Sequence, residues 1–206
     1  NMLADFQNNQ DIHTNTAMAV FDVTADGVTP DMRRDAKVIN FGILYGLSSF
    51  GLTARISEVS QGAAKDFIDK YFAAYPEVYA FLEKTKMQVR EDALVTNEVG
   101  RVRKFPEIKS SQYFIRQSAE RAAMNFPIQS LNADIIKKAM IEIDALIYPP
   151  SQEGLGEVPE IAMLLQVHDE LVFEIREDVV DNWIAKLKSI MENAIKLSVP
   201  VIVESK

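Results

Sequence analysis

Apolar residues return every three or four positions through most of this chain, and they alternate with polar ones only over short stretches. That spacing confines the fold to a largely helical body carrying a few short strands. Helices are predicted over Asp11–Phe21, from an N-cap at Asp31 to about Tyr45, over Ala63–Ala74, and onward from Pro76. Gln112–Phe126 and Asn132–Ile147 read as two further helices interrupted at Pro127, because proline lacks the N–H and clashes with the preceding turn. Val179–Lys196 is amphipathic and reads as the last helix. Leu94–Phe105 alternates around Gly100 and predicts a hairpin. Met163, Leu165 and Val167, then Leu171, Phe173 and Ile175, predict two strands joined by a tight turn at an acidic pair, with a final strand at Val199–Val203. Pro149, Pro150, Gly154, Gly156 and Pro159 make Tyr148–Pro159 a loop. Helices and strands alternate irregularly, so the expected class is α+β.

Composition narrows the partners. The 206 residues are 48% hydrophobic, enough for one core or two small ones. No apolar run approaches bilayer length, and residues 1–10 do not read as a signal peptide, so no membrane partner is expected. Cysteine is absent, which excludes disulfides and thiolate metal sites and fits a cytoplasmic protein. The net charge of −8 argues at first against a nucleic-acid partner. Its distribution argues otherwise: residues 101–140 hold 8 basic and 3 acidic side chains, against 9 and 14 in 1–100 and 5 and 13 in 141–206. Arg101, Arg103, Lys104, Lys109, Arg116 and Arg121 fall in that basic middle, where phosphate contacts would be independent of sequence.

Two segments carry chemistry. In the first, Arg33, Lys37, Phe41 and Tyr45 are spaced four apart, so one helix face presents two cations and then two rings. Cations position phosphates, an aromatic ring offers a flat surface to a sugar or base, and Gly42 permits close approach to the backbone. The same spacing also describes an amphipathic helix with a cationic surface and buried aromatics. In the second, His168, Asp169 and Glu170 lie between apolar strands. Adjacent carboxylates repel unless a cation compensates, and Mg²⁺ takes a few carboxylate oxygens together with phosphate oxygens. A solvated turn carries acids equally well.

The order R-x-x-x-K-x-x-x-F-G-x-x-Y-G at 33–46 resembles the fingers-helix motif of family A DNA polymerases, the group of bacterial DNA polymerase I. Asp-Ile-His-Thr at 11–14, His-Asp-Glu at 168–170 and the run from Glu120 to Gln129 resemble further motifs of that family. The resemblance spans nearly the whole chain and implies fingers over 1–112 and distal palm over 113–206. It implies that His13, Arg33 and Lys37 bind the triphosphate of a dNTP, that Phe41 packs on its deoxyribose, and that Tyr45 guards the template side. Asp169 would be a ligand of Mg²⁺, two ions serving the complete enzyme, with Glu170 a nearby acid and His168 approaching the primer terminus. Gly42, Arg101, Arg103, Arg121, Asn125 and Gln129 would face primer-template DNA. The implied activity is DNA-directed DNA synthesis in replication or repair. Ser130-Leu131-Asn132 departs from the small residues usual after the Gln, and the Tyr148–Pro159 loop looks like an insertion. The family's first palm motif, carrying the other metal-binding Asp, is not found in this sequence, nor is a thumb. The resemblance therefore implies a fragment with little activity alone, partnered by an upstream palm and thumb. Two other readings share these features: a single-subunit RNA polymerase relative and a non-catalytic nucleic-acid-binding remnant.

Overall fold

The computed structural model describes residues 2–56, 59–148 and 160–206. Most of the predicted loop at 148–159 lies outside them. The chain divides into two compact units, Asn1–Ile128 and Gln129–Lys206.

In the first unit, α1 (Met2–Gln7), α2 (Ile12–Phe21), α3 (Pro30–Leu44), α4 (Ser49–Thr53), α5 (Gln61–Ala74) and α6 (Pro76–Asp92) precede a hairpin of β1 (Leu94–Thr96) and β2 (Val102–Lys104). Its main core joins Val20 of α2, Ile39 and Ile43 of α3, Leu52 of α4, Tyr71 of α5 and Leu82 of α6. A smaller core gathers Val89, Val95, Phe105, Ile108, Ala119 and Ala123 beneath the hairpin. Thr29, not Asp31, caps α3: its hydroxyl accepts from Met32 N at 3.2 Å, and Pro30 supplies the first helical residue. A proline suits that position because its missing N–H would have had no partner there. Asp31 instead pairs with Arg34 at 2.7 Å. The β1–β2 turn is closed by Asn97, whose Oδ1 accepts from Val99 N and Arg101 N, and Gly100 takes a φ of 86°.

The interruption predicted at Pro127 does not occur. A single helix, α7, runs from Tyr113 to Ile147 through the boundary between the units. An interior proline forfeits one backbone bond and costs about 3 kcal/mol. Here the side chains of Ala123 and Met124 are buried in the turn before it, so apolar packing offsets that loss.

In the second unit, β3 (Ile161–Val167) and β4 (Glu170–Ile175) form an antiparallel pair, followed by α8 (Val180–Asn193). Ile143, Ile161, Trp183 and Leu187 form its core. The register shifts between Met163 and Leu165. Leu164 is therefore a bulge residue, and it divides the predicted alternation: Met163 opposes the partly buried Phe173, whereas Leu165 opposes the exposed Val172. The strand expected at Val199–Val203 does not form. Pro200 has no N–H to donate to a ladder, and Val203 N donates to Glu192 Oε1 at 3.0 Å instead. The class is α+β, as expected, and no helix among the described residues is long and apolar enough to cross a membrane.

Candidate nucleotide and nucleic-acid site

Helix α3 settles the ambiguity of its own pattern. Ala36, Ile39, Asn40, Gly42 and Ile43 form the buried side. Arg33, Lys37, Phe41 and Tyr45 lie on the opposite, exposed side, and each of the two rings is 50% exposed. Two half-exposed aromatic rings in line with two cations are not core residues. They cover a surface at an energetic cost that a ligand would relieve.

That side borders a groove of about 700 Å³ lined by Arg34, Lys37, Phe41, Tyr45, Arg55 and Arg121, among others. Lys37 and Arg121 have no ion-pair partner among the described residues, so their charge is available to an anion. Gly46 makes room for Arg121. It takes a φ of 69°, and a Cβ there would stand 2.7 Å from Arg121 Cγ and 2.8 Å from Met124 Cε. Gly42 also lines the groove, but the space of its absent Cβ is occupied: Leu47 Cδ2 would lie at 2.6 Å. Its lack of a side chain therefore seats Leu47.

Beside this face, Asp11 joins α2 to α3. As the N-cap of α2 it accepts from His13 N at 3.0 Å and the Thr14 hydroxyl at 2.8 Å, and from Arg33 Nε at 2.6 Å. The Arg33 hydrogen bond is the largest of the effects that hold its carboxyl far below the usual carboxylate range. The His13 ring lies 5.9 Å from that of Phe41, and its Nδ1 meets Asn40 Nδ2 at 3.0 Å. Partial burial, more than the nearby Arg33 and Lys37 charges, pushes the His13 imidazole below its ordinary pKa. The structure thus brings His13, Arg33, Lys37, Phe41 and Tyr45 together on α2 and α3, with Arg121 contributed by α7.

Other sequence-nominated residues lie elsewhere. Arg101 follows the β1–β2 turn and Arg103 sits on β2, its guanidinium 4.8 Å from the Phe105 ring centre; neither lines the groove. Asn125 stands one helical turn beyond Arg121 on α7, and Gln129 belongs to the second unit. His168, Asp169 and Glu170 belong to the second unit as well. His168 adopts a φ of 55°, the left-handed conformation that a two-residue hairpin turn requires at its first central position. Asp169 completes that turn, while Glu170 is already the first residue of β4. Glu170 Oε1 lies 3.3 Å from Lys206 Nζ.

Asp169 is exposed and offers hard oxygen donors, which suits one ligand of a divalent cation. Among the described residues, however, no group of three or more His, Cys, Asp or Glu side chains could hold a metal ion. Asp169 and Glu170 by themselves fall short of such a group.

Residues that sequence reasoning left out of the site are Arg34, Arg55 and Asn40. Arg34 adjoins Arg33, and its inclusion needed only the width of the groove. Asn40 falls three residues after Lys37, on the buried side of α3. A polar residue at an apolar position of the helical pattern was the available signal.

The family model for DNA polymerase family A matches residues 1–206. DNA polymerase I of Pseudomonas aeruginosa is 42% identical over 99% of this chain, and that of Bacillus caldotenax 41% over 99%; in each case the match covers 22% of the relative. The thermostable DNA polymerase I of Thermus thermophilus is 42% identical over 99% of this chain and 23% of its own length. The chain therefore spans less than a quarter of the length of these relatives. Among solved structures, the POL domain of Pol1 from M. smegmatis, in complex with DNA primer-template and dNTP, superposes with a TM-score of 0.84 at 38% identity, covering 96% of this chain and 34% of that one. With the whole sequence matched and the exposed R-x-x-x-K-x-x-x-F-G-x-x-Y-G face intact, the chain belongs to DNA polymerase family A.

Proposed function

We propose that this chain is the nucleotide-binding and distal-palm part of a DNA-directed DNA polymerase. In that reading residues 1–112 act as fingers and 113–206 as distal palm. The observation that carries it is the exposed face of α3, where Arg33 and Lys37 precede two half-exposed rings beside a cationic groove. Lys37, Arg33 and His13 bind the triphosphate of a dNTP, Phe41 packs on the sugar, and Tyr45 borders the template side. Arg121 and Asn125 face the duplex, where the minor groove presents similar acceptors at every base pair and so reports pairing without reading sequence. The M. smegmatis relative was solved with primer-template DNA and dNTP, which supports the same two ligand classes here.

Asp169 serves as one carboxylate ligand of Mg²⁺, with Glu170 near it and His168 toward the primer terminus. When bound, the metal would supply electrostatic stabilisation of phosphoryl transfer. The partial ligand set argues that further carboxylates come from an upstream palm segment, and that this chain alone synthesises little or no DNA.

The same partial set favours a second reading, a non-catalytic nucleic-acid-binding piece. Primer extension with dNTPs and Mg²⁺ separates the two. This chain is compared with a longer chain carrying the upstream residues of its gene, and with Asp169→Asn in the longer form. Synthesis by the longer form alone, abolished by the substitution, is expected. A folded, DNA-binding longer form that extends no primer would leave the binding piece standing. Incorporation of rNTPs in preference to dNTPs would instead point to an RNA polymerase relative.

A further inference from the structure

Behind His13 runs a chain of buried polar groups that the proposed phosphate contacts do not themselves require. Asn40 Nδ2 meets His13 Nδ1 at 3.0 Å, Thr16 Oγ1 donates to Asn40 Oδ1 at 3.1 Å, and the Tyr75 hydroxyl lies 3.3 Å from Thr16 Oγ1. Asn40 and Tyr75 are each 4% exposed and Thr16 is fully buried. Thr16 belongs to α2, Asn40 to α3, and Tyr75 joins α5 to α6, so three parts of the fold converge on one imidazole.

The protons of this chain can be counted. Thr16 has one hydroxyl proton, and it goes to Asn40 Oδ1. The Tyr75 hydroxyl must then be the donor to Thr16 Oγ1. With its carbonyl occupied, Asn40 turns its amide N–H toward His13, so Nδ1 accepts and carries no proton. A neutral imidazole has one N–H, which is left on Nε2. That nitrogen meets no hydrogen-bond partner among the described residues and lies in the ring that neighbours Phe41.

We infer that Asn40 is a positioning residue: backed by Thr16 and Tyr75, it fixes His13 as the Nε2–H tautomer and so presents one oriented N–H donor to an anionic oxygen. A neutral donor has a distinct use beside Arg33 and Lys37. It adds direction to a phosphate contact without a third full charge. The burial that lowers the imidazole pKa acts the same way, by disfavouring the imidazolium. The tautomer assignment stands on the orientation of the Asn40 amide, its oxygen toward Thr16 and its nitrogen toward His13; its use toward a phosphate rests on the function proposed above.

Nitrogen-15 NMR of the imidazole rings tests it on the 206-residue chain. His13 and His168 are its two histidines, so a His168→Gln variant assigns the signals. The wild type is expected to show His13 in the neutral Nε2–H form. An unrestrained imidazole already leans that way, so the discriminating result comes from Asn40→Asp. Its carboxylate can accept from Thr16 and from His13 but cannot donate, and it is expected to move the proton to Nδ1. Thr16→Val, nearly isosteric, is expected to leave the fold intact and weaken the tautomer preference. A merely structural Asn40 would leave the tautomer unchanged in both variants. That outcome, or Nδ1–H in the wild type, overturns the inference. Inorganic triphosphate is then titrated into the wild type. Perturbation of His13 Nε2 supports the phosphate role, whereas the expected tautomers without perturbation keep the positioning role and sink the phosphate contact.

Discussion

Asp11 and His13 sit two residues apart and share a pH dependence. Each has a folded pKa below its unfolded one, so each contributes stability at high pH that is lost as pH falls. For His13 the loss begins below about pH 6.5, and for Asp11 below about pH 4. Thermal melting between pH 8 and 3 is therefore expected to show two declining limbs, with Asp11→Asn flattening the acid one and His13→Gln the upper one. The Asp11 side chain is partly exposed to solvent, so its limb is shallow. Tyr71 offers a different test. Its ring is fully buried, and its hydroxyl meets no partner among the described residues, which raises its pKa. Tyr71→Phe removes a desolvated polar group and is expected to raise stability by about 1 kcal/mol in chemical denaturation. None of this was legible in the sequence, where Tyr71 was one apolar position of a helical repeat. The four-residue spacing of Arg33, Lys37, Phe41 and Tyr45 was legible, because helical geometry alone puts them on one face. Whether that face was inside or outside was not, since aromatic rings satisfy either pattern.

Helix ends show where local rules decide and where they yield. Gly46 follows α3 with a left-handed φ and with Arg121 and Met124 against its Cα. Gly46→Ala is expected to destabilise by about 1–3 kcal/mol, combining left-handed backbone strain with crowding. Ala93 caps α6 in the same conformation, at φ 54°, yet carries a Cβ. Ala93→Gly is expected to gain about 1 kcal/mol in a denaturant melt. Most helices were readable from periodicity, and the β1–β2 hairpin from Gly100 and the alternation around it. The element rules failed at Pro127 and at Val199–Val203. At Pro127 the packing of neighbouring residues overrode a local penalty. At Val199–Val203 a β-branched pattern lost its ladder to one proline and one side-chain acceptor.

Charge differs between the two units: residues 1–128 are near neutral, while residues 129–206 hold 7 basic and 14 acidic side chains. Anion binding is therefore expected to be local to the groove beside α3, not a property of the whole surface. On the function proposed above, affinity for primer-template DNA should fall steeply with salt, and Arg121→Ala should reduce the slope of log affinity against log salt by about 1. Fluorescence anisotropy over a salt series measures both. A slope reduced by about 1 would add a phosphate contact to the minor-groove role proposed for Arg121; an unchanged slope would leave it the minor-groove role alone. The net charge of −8 concealed this locality, because a sum over the sequence carries no positions.

The bulge at Leu164 sets a parity. Each residue of a strand faces opposite to its neighbours, so one extra residue between the core end of β3 and its tip exchanges inside for outside over everything beyond it. That exchange places Leu165 and Val167 on the open side, along with Val172 of β4. Loss of Leu164 alone should consequently straighten the strand without turning it over: Met163 would run directly into Leu165, and Leu165 opposite Val172 and Val167 opposite Glu170 would keep their present facing. Asp169 would then be presented from the same side of the tip as before.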